Sequence, residues 1–539
     1  VAQLGAILGR EFSYDLLQAV SILPEKVLQN GLEQLVKSNI IYPVSSALQQ
    51  RYIFKHALIQ ESAYQSLLKS KRQQLHQKTA EILEQQFPQT AKTQPELLAH
   101  HYTQAGIIDQ AIIFWTNAGE NALARSANQE AIGHFNQGLL LTIDLPNSFE
   151  QTKGKIKLMT LLGAPLIVTK GWADPEVIEN YIAARNLCEE IGESLLLFPV
   201  LWGLWLCHNG QAKWQKARQI GQQLLTLANQ LQDPACLLQA HHALGPSLVM
   251  LGEFETAQEH LEKAIALYDI EQHRSHAFKF GGHDPCVCCL HLANWTTLLL
   301  ANSDQEHLRN RDAQELTKSL SHPPTNAHNC IFSAIYHQLR WEPQATQKLA
   351  EAALIIAEQQ GLAQYQTHGT ILLGWAHAEQ GRFEEGITLM NQGFISFRAT
   401  GAGLFQLYFR VLMADAYLKG GLLIEAKSVL EEAIVVINEG EERFYASEVY
   451  RMMGELLHTI SSNQDTEAEA LFNKSIQIAR QQKARLLELR AVTSLCTFWN
   501  KKHKRKAARH LLMEIYSSFK EETEIVDMLK AKELLKKLN

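Results

Sequence analysis

The sequence predicts an all-α chain: a solenoid of stacked helical pairs preceded by a small domain with one β-hairpin. A pattern of small and bulky residues between positions 370 and 433 recurs after 40 residues. Internal repeats with a period of roughly 20–50 residues are typical of solenoids. Two β-like runs are confined to residues 39–55, and the 46% of hydrophobic residues is enough for packed cores. We therefore expect the helical pairs to stack into a right-handed superhelix with a concave face.

Residues 1–68 are predicted to form a winged-helix-like domain. Short helical patterns lie at residues 4–8, 14–20 and 24–37, and β-like runs lie at residues 40–44 and 51–54. A polar loop at residues 45–50 joins the two runs, as in a hairpin. Helices followed by strand, loop and strand favour a winged helix, and a further helix is predicted to start near His56.

Residues 69–146 are predicted to be a helical connector with the first repeats, and residues 147–539 the superhelix proper. Pro146 closes the first block. The first repeat combines small and bulky residues at Ala99, Tyr102, Gly106, Ala111, Trp115 and Ala118. The last is predicted to use Leu495, Phe498, Ala507 and Leu511, followed by a charged helix at residues 527–538 that could cap the stack.

The two most similar copies explain the pattern physically. The first contains Gly374, His377, Gly381, Gly386, Met390 and Gly393, and the second contains Ala414, Tyr417, Gly421, Ala426, Leu430 and Ala433. Small residues allow the partner helix to approach closely, and the bulky residue fills the neighbouring gap on the same helix face. The glycine between the helices takes a positive φ at low cost. This order of residues resembles the tetratricopeptide repeat, although the period exceeds that family's usual ~34 residues.

Further stretches resemble the signal-transduction ATPases of the STAND class. They are residues 9–12 (GREF), 52–64 (YIFKHALIQESAY), 72–76 (RQQLH), 96–102 (ELLAHHY), 282–285 (GHDP), 448–451 (EVYR) and 487–491 (LELRA). The most similar group is the ATPases that bacteria fuse behind class III adenylate/guanylate cyclase domains. The resemblance implies the order cyclase, P-loop ATPase, winged helix and tetratricopeptide-like superhelix, of which this chain would cover the last two parts.

The resemblance also implies where cofactors and partners bind. The chain opens at Val1 in mid-pattern, so we expect it to be the C-terminal piece of a larger protein. ATP or ADP with Mg²⁺ is expected only in the upstream domains, because no GxxxxGK[ST] motif occurs here. No catalytic residue and no ATP turnover are predicted for this chain. A protein partner or small ligand is expected on the concave face.

His56 is the one predicted nucleotide-sensing residue. In STAND ATPases a winged-helix histidine contacts a phosphate of bound ADP, and the run from Phe54 to Leu58 resembles that motif at its histidine and leucine. Ala57 replaces the acid often found there. An imidazole N–H can donate a hydrogen bond to a phosphate oxygen. The alternative is that His56 simply begins a helix.

Two clusters of chemically capable residues are interpreted as structural. Zinc prefers four Cys or His ligands, and the segment around residue 286 offers His283, Cys286, Cys288, Cys289 and His291. The spacing lacks the paired cysteines of structural zinc sites, so the cysteines are interpreted as small buried hydrophobes and no metal is predicted. Residues 501–506 (KKHKRK) are interpreted as a solvated turn.

Composition excludes several classes of partner. A formal net charge of −6 predicts neither nucleic-acid nor membrane-surface binding. The most apolar run, residues 195–207, is too short to span a bilayer, which needs about 20 residues. Eight cysteines in a chain of this length fit reduced thiols in a cytoplasm.

Three functional hypotheses remain open at this point. The first is a regulatory interaction module that relays a partner or ligand signal to an upstream ATPase and cyclase. The second is a chain with catalysis of its own, against which the missing phosphate loop argues. The third is the sensor region of a LuxR-type transcription regulator, whose terminal helix-turn-helix is not visible in the pattern. A serine/threonine kinase in place of the cyclase also remains possible.

Overall fold

The chain is all-α apart from one small sheet, as predicted. The computed structural model describes residues 1–45, 50–125, 127–143, 148–280, 282–301, 306–519 and 525–538. It divides into two compact units, Val1–Thr169 and Lys170–Asn539. The predicted boundary between residues 146 and 147 lies outside the described ranges, and the boundary after residue 68 stays a prediction.

Unit 1 combines the sheet with ten helices among its described residues. They are α1 (Ala2–Leu8), α2 (Tyr14–Val20), α3 (Glu25–Lys37), α4 (Ala57–Gln65), α5 (Lys69–Gln86), α6 (Pro88–Thr93), α7 (Pro95–Ala105), α8 (Ile108–Ala124), α9 (Asn128–Leu141) and α10 (Phe149–Lys170). The strands are β1 (Glu11–Ser13), β2 (Ile41–Ser45) and β3 (Gln50–Phe54).

The sheet contains the predicted hairpin and one strand that was not predicted. Strands β2 and β3 pair antiparallel with Ile41 opposite Phe54, and β1 pairs with the other side of β3. Pro43 lies in β2, an edge strand, where its missing N–H costs no ladder hydrogen bond. A strand of three residues is too short to show the alternation that identifies strands in a sequence. The predicted hairpin loop includes residues 46–49, which lie outside the described residues.

Unit 2 is helical throughout its described residues, with one 3₁₀ turn at Ser462–Gln464. Its α-helices follow in chain order. They are α11 (Pro175–Ile191), α12 (Ser194–Gly210), α13 (Trp214–Leu231), α14 (Pro234–Leu251), α15 (Phe254–Leu267), α16 (Ile270–His273), α17 (His276–Lys279), α18 (Pro285–Leu300), α19 (Glu306–Leu320), α20 (Pro323–Leu339), α21 (Pro343–Gln360), α22 (Ala363–Glu379), α23 (Phe383–Ala399), α24 (Gln406–Lys419), α25 (Leu423–Glu439), α26 (Ala446–Ile460), α27 (Asp465–Gln481), α28 (Arg485–Lys501), α29 (Arg505–Tyr516) and α30 (Val526–Leu538).

The pair α22 and α23 shows why small residues recur in the sequence. A Cβ added at Gly374 would lie 2.6 Å from the carbonyl oxygen of Gly386, and one added at Gly386 would lie 2.4 Å from that of Gly374. The two backbones therefore touch at these glycines. The turn between the helices contains Gly381 at φ +86°, where a side chain would be strained.

The second copy confirms the predicted core, whereas the last unit corrects it. Ala414, Ala426 and Leu430 are completely buried, and Tyr417 is 8% exposed. In the last pair, α28 and α29, the predicted Ala507 is exposed and the buried small residue is Ala508. The bulky partner is likewise Leu512 rather than Leu511. The register of this unit was wrong by one residue, because several alanines and leucines adjoin there.

The first helices of successive pairs form a continuous row. Each contacts the next from α12 through α14, α18, α20, α22, α24 and α26 to α28. Segments between pairs fold back onto this row: the N–H of Gly403 donates to the carbonyl of Gly210 (2.7 Å), and that of Arg443 to the carbonyl of Met250 (2.7 Å). They bring Phe405 and Phe444 against Trp295, with ring centroids about 6 Å apart. Aromatic side chains thus fill the space beside the middle of the row.

Candidate ligand-binding groove

His56 lies where the sequence placed it, at the start of a helix. It is the residue preceding α4, with extended backbone (φ −131°, ψ 140°), and its side chain makes no capping hydrogen bond. The side chain is exposed. Helix α4 buries none of its side chains fully, and Leu58 is 80% exposed. The sensor role of His56 stays a prediction, and its ring is accessible to a neighbouring domain.

The cysteines of α18 point in different directions. Cys286 packs with Leu290 and Ala313, and Cys289 lies in the main hydrophobic core. Cys288 belongs to the same core, and its sulfur also approaches His283 and a residue that the sequence did not group with it, His242 of α14. All eight cysteines of the chain are free. Burial raises the pKa of each α18 thiol, which keeps these cysteines protonated.

The basic run at residues 501–506 occupies the turn between α28 and α29. His503 takes a positive φ of 59° in that turn. Two of the lysines pair with acids of α27: Lys504 with Glu469 at 3.1 Å, and Lys502 with Asp465. The run is exposed and partly neutralised, in agreement with a solvated turn.

A groove of about 690 Å³ opens beside the last part of the first-helix row. Helices α24, α26, α28 and α30 and the turn at Trp341 line it. Most of its lining residues are polar or charged, whereas the space beside the middle of the first-helix row is filled by aromatic side chains. Charged and aromatic lining residues include Trp341, Asp415, Arg451, Glu455, Arg490 and Lys530.

Arg451 is the centre of the groove's buried charge network. Its guanidinium donates two hydrogen bonds to Glu448, at 2.9 and 2.8 Å, and a third to Glu455 at 2.6 Å. Burial alone would lower the pKa of Arg451, but Glu448 and Glu455 raise it well above the ordinary value. Bidentate pairing of this kind fixes the guanidinium in one orientation. Glu455 also accepts from Ser494 (2.6 Å), which ties α26 to α28.

A second ion pair holds the terminal helix over the groove. Arg490 of α28 donates to Asp527 of α30 at 2.9 Å, and both side chains are nearly inaccessible. The same guanidinium donates to the carbonyl of Leu339 and, at 3.1 Å, to the hydroxyl of Tyr445. Removing one partner of such a buried pair leaves an uncompensated charge, at a cost of about 3–5 kcal/mol. The predicted capping helix is therefore also a wall of the groove.

Two lysine ammonium groups lie over the ring of Trp341 at the side of the groove. The ammonium groups of Lys419 and Lys530 lie 4.6 and 4.7 Å from the centroid of a ring of Trp341, within the range of cation–π attraction. Lys419 also pairs with Glu379 and, at 2.9 Å, with Asp415. Burial, followed by the neighbouring Asp415, raises the pKa of Glu379 to about 7. Titration of Glu379 near neutral pH would change the charge around Lys419.

Sequence reasoning missed this groove because its residues are far apart in the chain. The ion pair between Arg490 and Asp527 joins positions 37 residues apart, and Trp341 meets Lys530 across a still longer interval. One signal was present. Glu448 and Arg451 are charged residues that alternate with buried apolar side chains of α26, such as Val449 and Met452.

Comparisons with known proteins agree with the fold. A family model described as "Tetratricopeptide repeat" matches residues 238–263 and 367–392. An uncharacterized protein of Rhizobium meliloti (strain 1021) is 25% identical over 504 residues, which cover 92% of this chain and 48% of that protein. The chain thus spans about half the length of this curated relative.

Two solved structures illustrate the likeness. A Rap protein complexed with Competence and Sporulation Factor has a TM-score of 0.53 at 9% identity, covering 69% of this chain and 98% of that one. A STAND protein with a tetratricopeptide repeat sensor from Pyrococcus horikoshii has a TM-score of 0.34 at 12% identity, covering 100% of this chain and 65% of that one. The chain is a TPR-like helical-repeat protein. Within its described residues, no helix combines the length and hydrophobicity needed to cross a bilayer.

Proposed function

We propose that this chain is the regulatory, partner-binding part of a STAND-class signal-transduction ATPase, and that it controls a class III nucleotide cyclase in the same protein. The groove between α24 and α30 is the observation that carries the proposal. It is an open cavity with charged lining residues, whereas aromatic side chains fill the space beside the middle of the first-helix row. A protein that only needed to be rigid would have no use for it.

The charges of the groove favour an acidic ligand. The buried cations Arg451 and Arg490 are already neutralised by Glu448 and Asp527. Lys501 and Lys530 are exposed at the rim. Potentials of opposite sign steer association and select partners. A peptide segment with acidic side chains, or a small molecule with carboxylates, fits these groups. The Rap protein above was solved with a bound factor, which shows that a similar fold can hold a ligand.

The N-terminal part would link this groove to the ATPase. Three helices, a short strand between the first two of them, and a closing antiparallel hairpin that pairs with that strand support the winged-helix interpretation of residues 1–68. Exposed His56, which precedes α4, and exposed Leu58, in its first turn, offer a polar and an apolar contact. In this proposal His56 donates a hydrogen bond to a phosphate of ADP held by the upstream domain, which stabilises the resting state.

A charge-reversal experiment in the full-length protein tests the role of the groove. We expect Lys501→Glu combined with Lys530→Glu to weaken binding of an acidic partner by roughly tenfold or more, because like charges repel at close range. ATP hydrolysis and cyclic-nucleotide production, each measured in cell extract and after purification, would then no longer respond to the partner. The buried network around Arg451 is untouched and the cation–π contact of Lys530 with Trp341 is lost, so the unfolding free energy should fall by no more than about 1 kcal/mol.

The matched control reverses two lysines outside the groove. Lys348 of α21 and Lys506 of α29 are exposed on second helices of their pairs. Lys348→Glu combined with Lys506→Glu changes the net charge equally and should leave both activities as they are. Equal effects of the two double variants would refute the groove as the binding site.

A further inference from the structure

We propose that His242, His283 and Cys288 form a zinc-binding site within the superhelix. The three residues come from three different segments: α14, the loop before α18, and α18 itself. One nitrogen of each imidazole and the Cys288 sulfur all lie within 4.8 Å of one another. The sequence could not group them, because His242 is distant from the others along the chain. This site is separate from the charged groove and independent of its proposed function.

The distances fit zinc after small side-chain movements. Zinc binds imidazole nitrogen at about 2.0–2.1 Å and thiolate sulfur at about 2.3 Å, so tetrahedral ligand atoms lie about 3.3–3.7 Å apart. Closing a triangle with sides of at most 4.8 Å requires shifts of about 1 Å. Rotations of χ1 and χ2 supply such shifts without moving a helix.

His242 is oriented as a metal ligand requires. Its Nδ1 bonds to the side-chain oxygen of Gln239 at 3.2 Å, so Nδ1 carries the proton and donates it. Its Nε2 therefore holds the lone pair, and this buried atom has no hydrogen-bond partner in the part of the chain that the structure describes. His242 is 2% exposed. Metal-binding histidines commonly donate their other ring N–H to an oxygen, which fixes tautomer and ring orientation.

His283 provides the second unsatisfied group. Both of its ring nitrogens are buried and lack a hydrogen-bond partner among the described residues. Its ring stacks on that of His328, with centroids 4.1 Å apart and planes 6° apart. Buried polar atoms without partners are rare in folded proteins and costly. Coordination of a cation would satisfy a nitrogen of His283 and explain why a polar ring is placed here.

Cys288 supplies the third, softer ligand. Its side chain is buried, and sulfur with imidazole is a donor set that suits zinc. The thiol would bind as thiolate, giving its proton to solvent as the Zn–S bond forms. Three protein ligands leave one position of a tetrahedral ion for water. The alternative is a histidine-rich core in which these groups simply pack.

Cobalt substitution in the full 539-residue chain distinguishes a zinc site from a histidine-rich core without metal. After treatment with a chelator, the chain is titrated with Co²⁺, and Zn²⁺ is then added in competition. We expect one Co²⁺ per chain, a sulfur-to-cobalt charge-transfer band, and loss of that band when Zn²⁺ displaces the cobalt. Absence of the band in the wild-type chain would overturn the proposal.

Variants assign the ligands and keep the test independent of folding. Cys288→Ala should abolish the charge-transfer band and weaken metal binding by more than the roughly 10–100-fold that loss of an outer-shell partner costs. Cys286→Ala, two residues earlier on the same helix, is the control and should retain the band. His283→Phe keeps the stacked ring and removes both nitrogens, so it should weaken binding while circular dichroism stays unchanged.

The outcomes remain decisive if one variant is unstable. Should Cys288→Ala fail to fold, His242→Phe, which preserves a ring of similar size, takes its place. A band that survives Cys288→Ala in a folded chain, or disappears in Cys286→Ala, would show that the metal lies elsewhere and would refute the site.

Discussion

At the scale of single residues, His56 and Arg451 show two ways in which a polar side chain is placed. His56 is exposed on a helix that buries little, and its environment within this chain requires no particular partner. Arg451 is surrounded by acids that hold it in one orientation. An exposed side chain such as His56 is available to another domain. A buried, paired side chain such as Arg451 fixes the packing of the helices around it.

The role of His56 is open to a direct test in the full-length protein. A hydrogen bond to a charged group contributes about 1.5–3 kcal/mol, and 1.4 kcal/mol is one decade of affinity. His56→Ala should therefore raise the ADP dissociation constant roughly ten- to a hundredfold. Because ADP stabilises the resting state, basal cyclase output should rise as well.

The control for this substitution is His510→Ala, which removes another exposed histidine, on α29. Titration calorimetry with ADP should give the wild-type dissociation constant for His510→Ala. If His56→Ala also gives the wild-type value, His56 is only the residue that precedes α4.

At the scale of elements, the helical pair is held by close approach of small residues. Ala426 of α25 is completely buried against α24. Ala426→Arg would insert both bulk and an unpaired charge into this seam. We expect a loss of at least about 3 kcal/mol of unfolding free energy, because overpacking and charge burial add. Urea denaturation followed by circular dichroism measures the loss.

Two positions further along α25, Ser428 is exposed and provides the matched control. Ser428→Arg introduces the same side chain on the solvent side and should change the unfolding free energy by no more than about 0.5 kcal/mol. Equal stabilities of the two variants would mean that the assigned helix face is incorrect.

The elements also show what the sequence could and could not predict. Gly374, Ala414 and their partners were identifiable because close helix packing imposes a small residue at a fixed period. Strand β1 was too short for any period to be visible, and adjacent alanines obscured the register of α29. The groove and the His242 cluster depend on contacts between distant repeats, such as Arg490 with Asp527, which no local pattern encodes.

At the scale of the whole molecule, buried histidines should make the protein sensitive to acid. Burial is the main cause that lowers the pKa of His101 to about 3, of His291 to about 4 and of His368 to about 3. In the unfolded chain a histidine has a pKa of about 6.5. Below pH 6.5 the folded protein therefore binds fewer protons than the unfolded chain does. Its stability is fully present above pH 6.5 and is lost as pH falls toward 4.

The size of this effect can be measured at His368, whose two ring nitrogens lack a hydrogen-bond partner among the described residues. At pH 5 a neutral buried histidine costs up to about 2 kcal/mol relative to an unfolded chain that binds the proton. His368→Leu should remove this cost, so its melting temperature should fall less than that of the wild type between pH 7.5 and 5. Scanning calorimetry at both values measures the difference.

The exposed His510 again supplies the comparison. His510→Leu should reproduce the pH dependence of the wild type, because it removes an exposed side chain on α29 and leaves every buried histidine in place. A wild-type melting temperature that is constant from pH 7.5 to 5 would contradict the role assigned to the buried histidines.

The contact between Gly374 and Gly386 has a consequence for how this repeat can evolve. Each glycine lies against the carbonyl oxygen of the other, so a methyl group at either position collides with main chain that cannot rotate away. The neighbouring repeat carries alanine at both equivalent positions, Ala414 and Ala426, and buries both completely. The same kind of helix pair is thus built once around two glycines and once around two alanines. Replacing either glycine alone by alanine should therefore destabilise the pair, because room for the methyl group requires the two helices to move apart together.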